Sequence, residues 1–265
     1  MRSMRWLVFP LLLCPGALRA QTGGSPEVAT LIARGDSLDV ALEPMEALAQ
    51  YKAALTAAPT SYAALWRAAR SQVDVAKTIE GDHPYTRSVR DSVYSVAQQY
   101  AEQAIAADSM GADGHFALAL VLGQLSRTRS GKERVSFARQ IYDASARALA
   151  LNPDHDGAEH IIGAWHAEIK RLSGITKFFA RTFLGAGFMD RAAWDSAVVH
   201  LERSVAIRPD YVHHHLELAE VLVDLERYAE ARRQLELIPS LPDGDVLDPD
   251  YRAAAAELLA RIRNK

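Results

Sequence analysis

Nine histidines are the side chains of this chain most able to do chemistry, as metal ligands or as acid–base groups. Two histidines on one helix share a face, and so a metal ion, only at spacings of three or four. No two histidines here have that spacing. His155, His160 and His166 are five and six apart, and His213, His214 and His215 fan out by about 100° per residue. The expectation is core and surface histidines and no metal, by a test that a site assembled from several helices escapes. Nucleophile and phosphate motifs are also missing: there is no G-x-S-x-G, and Gly185-Ala186-Gly187 lacks the third glycine and preceding strand of a dinucleotide loop. Ser130-Gly131-Lys132-Glu133 has Glu where a phosphate loop needs Ser or Thr, and lacks the earlier Gly. The acidic residues fall on polar helix faces, where solubility accounts for them. The sequence therefore reads as non-enzymatic and free of cofactors.

Composition sets the frame for any other role. With 49% hydrophobic and 24% charged residues, the 265-residue chain has ample material for a core. The N-terminus runs MRSMR, WLVFPLLLC, PGALRA, the basic, apolar and small-residue order of a secretory signal ending at Ala20. Pro10, Pro15 and Arg19 leave the apolar stretch short of the roughly twenty residues that cross a bilayer. Lipidation at Cys14 is the competing reading. Cleavage after Ala20 gives an exported chain, periplasmic in a diderm bacterium and otherwise secreted. It has no thiol, and a net charge of -6 in place of -3 once Arg2, Arg5 and Arg19 are gone. No basic stripe with interleaved aromatics invites nucleic acid. Residues 21–27 read as a flexible lead-in.

The elements that would carry a site are found by repetition. Ala47, Tyr51 and Ala54 precede Pro59 at the same offsets at which Ala197, Leu201 and Ser204 precede Pro209. A step of 34 residues from the second set lands on Ala231, Leu235 and Ile238. Ala148 before Asn152-Pro153, and Ala97, Ala101 and Ala104 before Ser109, extend the series. Counting back gives unit starts near Val28, Tyr62, Ala112, Asp156 and Val212, with a recurring apolar or small pair at Ala68/Ala69, Leu118/Ala119, Ile162/Gly163 and Leu218/Ala219, reduced to Gly35 in the first unit. Small residues at fixed places let paired helices approach closely. The fold expected is all-α, a tetratricopeptide-like solenoid of about five helical hairpins over residues 28–245. A half-polar capping helix over 246–265 closes it. Three units carry 16, 10 and 22 extra residues, and longer second helices absorb much of this.

The block NPDHDGAEHIIGAWHAEI (152–169), the Phe-rich insertion after it and AIRPDY (206–211) resemble the regulator of microtubule dynamics family over roughly residues 95–240, most specifically at His160, Gly163, Trp165 and His166. The resemblance implies a tetratricopeptide-like fold and a binding role. Some members of that family are associated with membrane contacts and lipid binding.

Two sets of residues are candidates for binding. In such folds the first helix of each pair lines the concave side, which in this register puts Ile32, Trp66, Phe116, His160 and Leu216 inward, with Arg70, Gln124 and Glu220 a turn further on. Apolar and aromatic surface with a few polar groups is the composition of binding pockets. The second set is the insertion at 172–189, where Ile175, Phe178, Phe179 and Phe183 follow helical spacing, Phe188 comes after, and Lys177 and Arg181 sit opposite. It is expected as an amphipathic plug, lid or membrane contact, separable from the fold. The leading expectation is an exported scaffold holding a protein or peptide on its concave face; the alternative is a carrier of an apolar molecule or lipid under the insertion.

Overall fold

The computed structural model describes residues 25–81 and 83–265; the expected export signal, Cys14 and the start of the lead-in lie outside the described residues. Among these residues there are α-helices and two short 3-10 turns but no strand. The helices are α1 (Pro26–Val40), α2 (Pro44–Ala57), α3 (Tyr62–Lys77), α4 (Pro84–Ala107), α5 (Ala112–Ser126), α6 (Gly131–Leu151), α7 (Asp156–Arg171), α8 (Gly174–Leu184), α9 (Trp194–Ile207), α10 (Val212–Asp224), α11 (Tyr228–Leu237) and α12 (Asp248–Arg261). They pack as five hairpins, α1/α2, α3/α4, α5/α6, α7/α9 and α10/α11, each stacked on the next, with α12 covering α10 and α11. The first helices also touch in succession, α3 on α5 and α5 on α7, forming the inner layer.

Four of the five unit starts fall on the first residue of a helix, at Tyr62, Ala112, Asp156 and Val212. The first helix starts earlier than expected, so the lead-in ends before residue 26. Ser25 accepts the Val28 N–H at 3.3 Å and Pro26 occupies a position where a missing N–H costs nothing.

The repeat register has a direct steric reading. The second-helix residues Ala47/Tyr51/Ala54, Ala97/Ala101/Ala104, Ala197/Leu201/Ser204 and Ala231/Leu235/Ile238 are all buried. A Cβ on Gly35 would collide with the Tyr51 ring, and one on Gly163 would lie 2.6 Å from Leu201 Cγ. Where the second helix carries a large residue at the middle place, the first and fourth units remove the opposing side chain altogether. The short turns of the first and last hairpins match as well: Leu42 and Glu226 both adopt φ 58°. The extra residues go where the sequence suggests, into α4 and α6 of 24 and 21 residues against 14 in α2 and α9, and into α8 with the turn Ala186–Arg191.

Candidate ligand cavity

Inside the curve of the solenoid lies a cavity of about 990 Å³, walled by α3, α5, α6, α7, α8 and α10 and by the chain around residues 244–246. Two parts of the chain far apart in sequence meet at its edge. Lys77 at the end of α3 bonds Asp74 at 2.8 Å and reaches Asp245, 168 residues away and just before the capping helix, at 2.7 Å. Tyr211 donates its hydroxyl to the same Asp245 carboxylate at 2.7 Å, and the Leu247 N–H donates to its other oxygen at 3.0 Å. Burial favours the neutral carboxyl, but Lys77 and these hydrogen bonds outweigh it and hold Asp245 below the usual carboxylate range.

The lining is divided by chemistry. Around α6, α7 and α8 it is apolar: Ile141, Ile161, Trp165, Ile169, Leu172 and Leu184. Around α3, α7 and α10 it is polar, with Asp156, His160, His213, His214 and Glu217 beside the Lys77 latch. Here the histidines form a chain. Asp156 is an acceptor: burial works against its charge, yet the His214 hydrogen bond, His214 itself and Arg208 bring its pKa down to about 2. His214 Nε2 lies 3.2 Å from Asp156 Oδ2 and therefore carries the proton, and its Nδ1, 3.1 Å from His160 Nδ1, must accept. His160 then donates from Nδ1 and keeps an unshared pair on Nε2. Burial, reinforced by neighbouring histidines and Lys77, pushes His160 well below the ordinary imidazole value, so the ring is neutral at pH 7. His213 is likewise neutral through burial and Lys77, with its pKa lowered to about 3, and its ring stacks on Tyr251 at 4.2 Å. One donor atom each from His160, His213 and Glu217 lies within 4.8 Å of the other two, so these three residues could hold a metal ion.

The histidine-spacing test does not see this group, because it is assembled from two helices and includes a carboxylate. His213 and Glu217 are four apart on α10, a spacing visible in the sequence had carboxylates been counted with histidines, and α7 supplies the third residue. Lys77, Asp245 and Tyr211 gave no local signal at all.

The residues expected to line the groove divide in two. Trp66, Arg70, Phe116, Gln124 and His160 all line the cavity. Trp66 and Phe116 are half-buried, and Phe116 packs on His155 at 4.5 Å. Ile32 and Leu216 are instead packing residues, Ile32 against Tyr51 and Ala54 and Leu216 in the C-terminal core, because the helices rotate these places toward the neighbouring unit. Glu220 faces Arg171 at 3.9 Å, outside the cavity lining.

The insertion is also divided. On α8, Ile175, Phe178, Phe179 and Phe183 are 55–73% exposed, and only Ile175 and Phe179 also line the cavity. Phe188 is not part of that surface; it packs near Trp165 with the Arg139 guanidinium 4.4 Å over its ring. Ala180, Ala186 and Met189 are buried with Leu122, Ile141 and Trp165, so part of the segment 172–189 packs into the core.

The four residues most specific to the block 152–169 all have roles. His160 faces the cavity, Gly163 makes room for Leu201, Trp165 donates to Ala138 O at 2.7 Å, and His166 Nδ1 accepts the Ala193 N–H at 3.2 Å, placing the start of α9.

The architecture is that of a tetratricopeptide-like helical repeat scaffold. A thermophilic TPR protein of Thermus thermophilus, TTC0263, superposes with a TM-score of 0.62 at 19% identity, over 88% of this chain and 99% of that one. The pilF protein of Pseudomonas aeruginosa superposes with a TM-score of 0.52 at 16% identity, over 89% and 91%. No curated protein matches the chain. The family model described as regulator of microtubule dynamics protein 1-3 matches residues 31–263, and the chain belongs to that family.

Proposed function

We propose that this chain is an exported, non-catalytic binding protein whose concave-side cavity takes an amphipathic small molecule of the lipid class, with α8 as lid or membrane contact. The observation that carries the reading is the cavity of about 990 Å³ on the concave side, spanned by the Lys77–Asp245 bond, with one wall apolar and one polar. That volume is at the upper end of the roughly 300–1,000 Å³ common for small-molecule sites.

The lining supports the ligand class. An apolar body suits the wall formed by Trp165, Ile169, Leu172 and Leu184. An anionic head suits Arg127 and Arg134, which are exposed, line the cavity and make no ion pair among the described residues. The outward Phe178 and Phe183 suit an apolar interface. No helix among the described residues is long and apolar enough to cross a membrane, so contact through α8 would be peripheral.

Native mass spectrometry of the purified chain tests the reading. The expected result is a co-purifying amphiphile, released by Trp66→Ala or Arg134→Glu. A ligand-free chain that takes up no fatty acid or phospholipid, but binds a peptide from a displayed library, would replace this reading by the protein-partner one.

A further inference from the structure

We propose that His160, His213 and Glu217 form a binding site for a divalent transition-metal ion of the zinc class at the polar side of the cavity. Two imidazoles and a carboxylate are donors of the type that bind such ions, and three protein ligands leave coordination positions open. Those positions face the cavity that all three residues line.

Three features besides proximity support the site. His213 and Glu217 project from the same face of α10 one turn apart, while His160 comes from α7, so the ligands sit on two rigid helices. Both rings are held in orientation before any ion arrives, His213 by stacking on Tyr251 and His160 by its hydrogen bond to His214. The chain Asp156–His214–His160 also fixes the tautomer that exposes the Nε2 pair of His160, the outer-shell arrangement that metal-binding histidines use. The donor atoms lie within 4.8 Å of one another, against separations of about 3.3 Å in a tetrahedral zinc site, so binding draws them together by on the order of an ångström.

The surrounding charge permits a dication. The cations that bear on the ligands are Lys77, already held by Asp74 and Asp245, Arg171, 3.5 Å from Glu217 but bonded to Glu168 and Asp224 at 2.8 Å each, and Arg127, which acts on His213 from a greater distance than a contact. Asp156, Asp245 and Asp74 add negative charge behind the ligands. Unlike the proposed function, this site concerns the chain and the ion alone, and it is read without any amphiphile present.

The experiment is titration of the full chain, stripped with chelator, with Zn2+ by calorimetry and with Co2+ by visible absorption. One equivalent is expected to bind, with a Co2+ spectrum typical of four or five coordination. His213→Ala and Glu217→Gln are expected to abolish that equivalent, and Asp156→Asn to weaken it about 10–100-fold. His83→Ala, at an exposed histidine, leaves it intact. Helical circular dichroism and melting of each variant separate loss of the site from loss of the fold, and Glu217→Gln keeps the size of the side chain. No stoichiometric binding to the native chain, or binding that survives both ligand substitutions, overturns the proposal.

Discussion

Replacing Lys77 by Met keeps the reach of the side chain and removes its charge. In the native chain the side chains of Lys77, Asp74 and Asp245 are only 9%, 14% and 6% exposed. Removing one partner of a buried pair costs about 3–5 kcal/mol, since the remaining carboxylates stay desolvated and uncompensated. The same bond in solvent would be worth about 1 kcal/mol or less. Asp245 retains the Tyr211 hydroxyl and the Leu247 N–H, which places the expected loss near the lower bound, about 3 kcal/mol. The pH dependence fixes the sign. A carboxyl held below its unfolded pKa, as Asp245 is here, stabilises the fold above that unfolded value and loses the contribution as pH falls through the folded one. In Lys77→Met burial wins, the carboxyl rises above its unfolded value, and the deficit shrinks as the pH is lowered from 7.5 toward about 5. Urea unfolding followed by helical circular dichroism at both pH values measures this. A loss below about 1 kcal/mol that does not change with pH would refute the latch.

Four further outcomes follow from the geometry. Trp66→Ala and Phe116→Ala, both half-buried in the cavity wall, should each weaken ligand binding by about 1 kcal/mol or more, whereas Leu216→Ala should cost about 2–5 kcal/mol of stability in chemical denaturation and leave binding unaffected. Gly163→Ala should destabilise by about 1–3 kcal/mol, because its Cβ meets Leu201 at 2.6 Å and the Ala197 carbonyl at 3.2 Å, and Leu201→Ala should recover part of that in a double-mutant cycle. Phe178→Ser with Phe183→Ser should shift melting little, since both rings are exposed, while reducing binding to anionic vesicles in a flotation assay. Glu217→Gln should leave the metal-free chain more stable at neutral pH: burial, then Glu220, raises this carboxyl from 4.5 to about 7, so the native fold loses stability as pH rises between those values, by up to about 3 kcal/mol, and the amide does not. Denaturation of both chains at pH 5 and 7.5 should show the curves diverging as pH rises.

The sequence by itself determined the helical repeat. Gly35, Gly163, Ala47, Ala101, Ala197 and Leu201 are local packing requirements between paired helices, and steric fit between neighbours leaves a periodic trace in residue size. It also marked Trp66, Phe116 and His160 as inward, since the place of a residue on a first helix follows from its distance to the helix start. Tertiary structure decided the rest. Whether Leu216 faces ligand or neighbour depends on helix rotation, and whether Phe188 joins Phe183 outside or Trp165 inside depends on the turn at Gly185, which adopts φ 69°. The latch between Lys77 and Asp245 and the meeting of His160 with His213 and Glu217 depend on how far the solenoid curves. Small rotations at each hairpin interface add along the stack, and no single segment encodes their sum.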